Sequence, residues 1–156
     1  MSMDEVKVFA AHLQRQLYQL VRACELCDRA CLTQNGVTTS QGYTLLAFPE
    51  DGCLTMNELS DTMNLSNSTM TRMVDQLVQK GLVRRKADES DRRIVLVELT
   101  DQGQATRATL EKALQGLFGQ ILDGIPAAER PLILRALEQV TQSVAKVLDT
   151  NNCCSE

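Results

Sequence analysis

Residues 54–83 read LTMNELSDTMNLSNSTMTRMVDQLVQKGLV and carry more helix start and stop signals than any other stretch of the chain. Thr55 followed by Glu58 is a capping-box pattern, which starts a short helix ending near Met63–Asn64. Ser66 is a second N-cap candidate, for a helix running to Lys80 with Met70, Met73, Val74, Leu77 and Val78 on its apolar face. Gly81 then sits where a C′ glycine ends a helix, with Lys80 in the last turn. A short helix, a tight turn and a longer helix with a polar start form a helix-turn-helix pattern. After Gly81 the period changes. LVRRKA and RIVLVELT are β-prone segments joined by the polar loop DESDR, which predicts a hairpin. Helix-turn-helix plus hairpin is a winged helix.

The flanks are helical. Val6, Ala10, Leu13, Leu17, Leu20, Cys24, Cys27 and Cys31 step by four and three, placing all eight on one stripe of a long helix that breaks near Asn35–Gly36. A second helix is expected from Thr39–Ser40, carrying Tyr43, Leu45, Leu46 and Phe48, with a turn at Pro49, Asp51 and Gly52. Thr100 or Asp101 caps a helix through about Leu122, with Leu110, Leu114, Leu117 and Ile121 on one stripe. The segment DGIP interrupts it. Pro126 and Pro131 fit the first turns of a last helix, where a missing N–H costs little. Its stripe is Ile133, Leu137, Val140, Val144 and Val147, and the polar tail TNNCCSE is expected to fray. The expected fold is mainly α with a small β-hairpin wing, in the order α-α-α-α-β-β-α-α, with room for one extra short helix. Three amphipathic helices offer more apolar surface than one small winged helix covers, so pairing with a second chain is the simple remedy.

Composition narrows the function. At 156 residues, 44% hydrophobic and 23% charged, the chain reads as one globular domain. No apolar run approaches the ~20 residues that span a bilayer, so no membrane is expected. The start MSMDEVKVF has no basic segment followed by a long apolar one, which implies a cytoplasmic location. His12 is the single histidine, and no glycine-rich phosphate loop appears, so no catalytic constellation stands out and an enzyme is not expected.

The winged helix suits double-stranded DNA. The second helix presents Ser66, Asn67, Ser68, Thr69 and Thr71, then Arg72 and Gln76. Helix N-termini favour phosphate oxygens, and Asn, Gln and Arg read base edges in the major groove. The hairpin adds Arg84, Arg85 and Lys86 on one strand and Arg92 and Arg93 near its tip. Seven Lys/Arg against four Asp/Glu between Arg72 and Arg93 leave a local positive excess within a chain of net charge −4. A solvated charge run that protects a strand edge is the plainer alternative. A winged-helix protein-interaction module without DNA contact is another. Steep loss of duplex binding with salt separates both from a DNA-binding protein.

The run D91-R92-R93-I94-V95-L96-V97-E98-L99-T100-D101-Q102-G103 resembles the wing signature of the MarR (multiple antibiotic resistance regulator) family, D-x-R followed by alternating apolar residues and L-T-x-x-G. Leu77 to Arg85, L-x-x-x-G-L-V-x-R, is similar to it too, as are the length and the flanking helices. The resemblance implies a homodimeric transcription regulator, usually a repressor, bound to a pseudo-palindromic operator. Residues 1–35 and 104–150 would supply the interlocked dimerisation helices, and residues 36–103 the winged helix. Ser66 to Gln76 would read the major groove. Arg93, with Arg92 beside it, would enter the minor groove, and Asp91 would orient that arginine.

Six cysteines leave the effector open. Cys24, Cys27 and Cys31 lie on the stripe of Leu13, Leu17 and Leu20, and free cysteine packs as a small hydrophobe. The same thiols are candidates for a soft metal or metalloid such as zinc, copper(I) or trivalent arsenic. At ~1.5 Å rise per residue Cys24 and Cys31 stand roughly 10 Å apart. Ligands of one ion with ~2.3 Å bonds reach at most ~4.6 Å. One straight helix therefore offers a single ion two of these thiols, Cys24/Cys27 or Cys27/Cys31. Cys53, Cys153 and Cys154 are candidate further donors. A redox switch is the third reading, with Arg22 or Arg29 lowering a thiol pKa. The peroxide sensors of the family carry a reactive cysteine held by tyrosines. Tyr43 matches one tyrosine position, but the cysteine position falls near Tyr18 and the other tyrosine near Leu32. A small aromatic or phenolic effector beside passive cysteines is the fourth reading.

Overall fold

Ser2 opens the first helix: its side chain accepts from the Glu5 N–H, and Glu5 accepts from the Ser2 N–H at 2.6 Å, a complete capping box. The structure is a computed structural model that describes residues 2–50, 52–88, 90–91 and 94–149. The elements run α1 (Met3–Gln34), α2 (Thr39–Leu46), β1 (Cys53–Thr55), α3 (Met56–Met63), α4 (Asn67–Gln79), β2 (Val83–Ala87), β3 (Val95–Leu99), α5 (Asp101–Asp123) and α6 (Arg130–Asp149). Mostly helical with one small antiparallel sheet, this is the winged-helix class that the local signals predict.

Most boundaries follow those signals. Thr55 and Glu58 form a reciprocal capping box, and Ser66 caps α4 by accepting from the Thr69 N–H. Asn64 ends α3 in the left-handed region at φ 50°, which Asn tolerates better than most residues. Gly81 at φ 70° closes α4, where a side chain would be strained.

Three expectations are corrected. A third strand, β1, precedes α3 and pairs with β3 in the register Cys53↔Glu98, so the sheet order is β1-β3-β2. Phe48 lies beyond the end of α2, yet it is almost wholly buried in the core. Pro126 does not belong to α6. It shapes a separate turn in which the Glu129 N–H donates to its carbonyl at 2.9 Å, and only Pro131 occupies the first turn of the helix. The turn residue Asp51, part of the wing loop and the tail from Thr150 on lie outside the described residues.

The chain forms two compact units, Met1–Gln115 and Gly116–Glu156, with α5 running across the boundary. The first unit contains the core. Leu32, Leu45, Phe48, Leu59, Met70, Val74, Leu77, Val97 and Leu110 are each at most 1% exposed. Burying a side chain of this size stabilises by roughly 1.5–3 kcal/mol, so the inner face of α4 is held firmly.

The L-T-x-x-G run is explained at the base of the wing. Thr100 Oγ1 donates to the Gly81 carbonyl at 2.6 Å and accepts from the Gly103 N–H at 3.0 Å, joining the end of α4 to the start of α5. A Cβ on Gly103 would stand 1.9 Å from the Leu82 carbonyl oxygen, so only glycine permits this approach.

Candidate nucleic-acid interface and thiol face

Helix α4 is amphipathic with a sharp division. Met70, Val74 and Leu77 are buried, whereas Ser66, Asn67, Ser68, Thr69, Thr71 and Arg72 are exposed. Its N-terminus is a cluster of hydroxyls: Ser66 Oγ lies 3.1 Å from Ser68 Oγ and 2.9 Å from Thr69 Oγ1. Free N–H groups and hydroxyls at a helix start favour an anion. Asn67 also faces the preceding helix, with its Oδ1 2.7 Å from Ser60 Oγ. Thr71 bonds back to the Asn67 carbonyl at 2.8 Å. No hydrogen bond or ion pair among the described residues engages Arg72. Gln76 is different, because its side-chain oxygen accepts from Gln41 at 3.1 Å. That bond fixes the orientation of the amide and leaves the oxygen one further lone pair.

The basic strand β2 is largely paired. Arg84 Nε lies 2.6 Å from Glu98 Oε1, the other Glu98 oxygen accepts from Lys86, and Arg85 reaches Asp75 of α4 at 2.7 Å. The hydrogen bonds from Lys86 and then Arg84 hold the Glu98 carboxyl below the usual carboxylate range, and Glu98 holds the Lys86 ammonium above its own. The Arg84 side chain is still 68% exposed, so it can share a phosphate without leaving the wing. The partners Glu98 and Asp75 were invisible as such in the sequence. The register Arg84↔Glu98 brings the first of them into place. Arg92 and Arg93 lie outside the described residues.

On α1, Cys24 is exposed and Cys27 and Cys31 are half-buried. Beside them Tyr43 of α2 donates its phenol proton to the Asp28 carboxylate. Burial first, then that bond and the nearby charges of Asp28 and Cys24, push the Tyr43 phenol up to about 12. It therefore stays protonated, a donor held across the α1–α2 junction. A cleft of about 350 Å³ opens here, lined by Arg22, Leu26, Asp28, Arg29 and Tyr43 among others. Cys53 is half-buried on β1 and lines a separate cleft of about 290 Å³ with Arg84, Lys86 and Glu98. Among the described residues of one chain, no three or more of His, Cys, Asp and Glu converge on a point that could hold a metal ion. Cys53 and the α1 thiols thus do not converge on one such point in a single chain. Cys153 and Cys154 lie outside the described residues.

The model of the MarR family matches residues 37–95, the stretch from the start of α2 to the start of β3. The transcriptional repressor NicR of Pseudomonas putida is 30% identical over 132 residues, covering 85% of this chain and 82% of that protein. The chain belongs to the MarR family. Among solved structures, a mutant MarR from E. coli complexed with operator DNA is 27% identical with a TM-score of 0.70, covering 82% of this chain and 92% of that one. Reduced AbfR bound to DNA is 28% identical with a TM-score of 0.66, covering 92% and 99%. As a MarR-family transcription regulator this protein binds DNA.

Two features of this MarR-family chain were beyond sequence reasoning. Gln41 is buried yet polar, and Lys80 folds back on it. A polar residue at a helix start looks like any other cap, and nothing local marks its distant partners. No helix of the described residues is long and apolar enough to cross a membrane.

Proposed function

We propose that the protein is a homodimeric repressor of transcription whose grip on a pseudo-palindromic operator is released by an effector near the end of α1. The reading rests on one observation above the rest: α4 buries Met70, Val74 and Leu77 in the core and offers solvent a start made of hydroxyls, an amide and Arg72. In the dimer two such helices enter major grooves about one helical turn apart, ~34 Å. Ser66 to Arg72 read or position, and Arg93 with Arg92 reaches the minor groove. Pairing is supported by the apolar residues that one chain leaves exposed, such as Phe9 and Leu13 on α1, Ile121 on α5, and Leu137 and Val144 on α6. NicR, a repressor, supports the direction of control.

For the effector, the leading reading is chemistry at Cys24, Cys27 and Cys31, by oxidation or by a soft metal or metalloid. The thiols are reachable and adjoin the Tyr43–Asp28 bond, which ties α1 to the first helix of the winged region. A coupling of about 1–3 kcal/mol between this end and α4 changes DNA affinity roughly 5–150-fold. The cleft lined by Arg22, Leu26, Arg29 and Tyr43 favours a second reading, a small aromatic or phenolic ligand with passive cysteines.

An anisotropy titration on the protein's own upstream DNA tests this. Reduced protein and protein treated with mild oxidant or arsenite are compared. Weakened binding restored by dithiothreitol supports the thiol reading, and serine variants of the cysteines locate it. Unchanged binding by protein whose thiols have reacted removes that reading and turns the search to aromatic ligands.

A further inference from the structure

Gln41 is a glutamine in the wrong place for a surface cap. It is 3% exposed, and each end of its amide is committed. Its Oε1 accepts from the Thr38 N–H at 3.2 Å and from Lys80 Nζ at 2.9 Å, while its Nε2 donates to Gln76 Oε1 at 3.1 Å. Gln76 and Lys80 are four residues apart, so they stand one above the other on one stripe of α4. Lys80 Nζ also donates to the Gly36 carbonyl at 3.0 Å. Gly36 belongs to the turn that leaves α1, and Asn35 beside it donates to the Cys31 carbonyl at 2.8 Å.

We infer that Gln41 and Lys80 form a latch that positions the recognition helix for DNA by fastening its C-terminal end to the α1–α2 turn. The apolar contacts of Met70, Val74 and Leu77 are non-directional and resist removal of α4 from the core better than they resist small rotation or sliding along it. The hydrogen bonds of Gln41 are directional and fix that remaining freedom. They act on the stripe that begins with Ser68 and Arg72, four residues apart on the way to Gln76. A buried amide left without partners is costly, so the latch closes in one arrangement only. Gln41 and Lys80 are positioning residues here, acting on bases and phosphates through α4. The inference needs DNA binding by α4 and is independent of any effector.

The test is a double-mutant cycle read in operator affinity, with Gln41→Leu, Lys80→Met and the double variant, each at several salt concentrations. Stability is followed by thermal melting, and the active fraction by stoichiometric titration. Gln41→Leu and Lys80→Met are each expected to weaken specific binding by about ten-fold. The double variant should fall little further, because the first change already opens the latch. Gln41→Glu should restore near-native affinity, since a carboxylate still accepts from Thr38 and Lys80, and a turned Gln76 amide can donate to it. The slope of log affinity against log salt should stay as in the native protein. If Lys80 instead neutralises a phosphate, the slope drops by about one and the losses add, which overturns the latch. Losses explained by a smaller active fraction, or Gln41→Glu as weak as Gln41→Leu, overturn it as well.

Discussion

Helices α4 and α6 are both amphipathic, yet they stand in opposite situations. In α4 the side chains Met70, Val74 and Leu77 are completely buried by the chain's own α2, α3 and sheet elements or their neighbours in the core. In α6 no described side chain is buried, and Leu132, Leu134, Leu137, Val144, Val147 and Leu148 are exposed. A sequence pattern alone treats the two stripes alike. Burial separates a helix that one chain completes from a helix whose apolar surface remains open. Under the proposed function, the first kind holds the DNA-reading helix in place and the second is the face that pairs with another copy.

The sharpest way to break this comparison is to put a charge on the open stripe. Leu137→Lys is expected to prevent pairing, seen as a monomer by sedimentation. Operator affinity should then fall by a factor of about 10²–10⁴, because the second half-site is no longer tethered to the first. A variant that remains dimeric and binds normally removes α6 from the interface. Within the closed region, Gly103→Ala forces a methyl into the Leu82 carbonyl, with a Cβ–oxygen distance of 1.9 Å in the native backbone. Overpacking of this kind costs about 1–3 kcal/mol, so the melting temperature should drop and wing-dependent DNA binding with it. An unchanged melting temperature contradicts the close approach at the wing base.

Arg93→Ala is expected to cost about 1–3 kcal/mol of operator affinity while sedimentation still reports the dimer. Wild-type affinity in that variant takes the wing tip out of the reading surface. A smaller effect of opposite sign comes from the open end of α5. A Cβ on Gly119 meets nothing within 4 Å, so Gly119→Ala should stabilise by about 0.5–1 kcal/mol through helix propensity alone. A lower melting temperature together with weaker pairing places that position against the partner chain instead.

The smallest effect is on pH. The Glu98 carboxyl is held below its ordinary value of 4.5 by the bonds from Lys86 and Arg84, so the folded state prefers the ionised form. That contribution is present above the unfolded value and fades as pH falls through the lowered folded one. Glu98→Gln should lower the melting temperature slightly at neutral pH and change it little in acid, so that the acid limb of the melting temperature against pH becomes flatter. An acid limb as steep as the native one assigns the sensitivity to other carboxylates, such as Glu58 or Asp88, whose pKa values are also lowered.

What could be read in the sequence was local. The Thr55–Glu58 box, the Ser66 cap and Gly81 act within one turn of chain, and each stands where its residues imply. The three-residue strand β1 carries no alternation to detect and exists because β3 offers it an edge. The same distance hid the chemistry of the wing. Arg84, Arg85 and Lys86 read as free charge in one dimension, whereas cross-strand register and the neighbouring α4 supply Glu98 and Asp75. Gln76 read as a base-contacting amide, and its tie to Gln41 depends on a contact between α2 and α4 that no spacing reveals. For the cysteines, the rise of a helix was enough to limit an ion to two α1 thiols. The Tyr43–Asp28 bond beside them needed the packed α1–α2 junction.

The most direct test of a dimer that reads two grooves is a titration of the upstream duplex with reduced protein, measuring stoichiometry and salt dependence together. Two protomers per specific site, with log affinity falling steeply and linearly in log salt, is the predicted result. One protomer per site, or binding that ignores salt, contradicts the account.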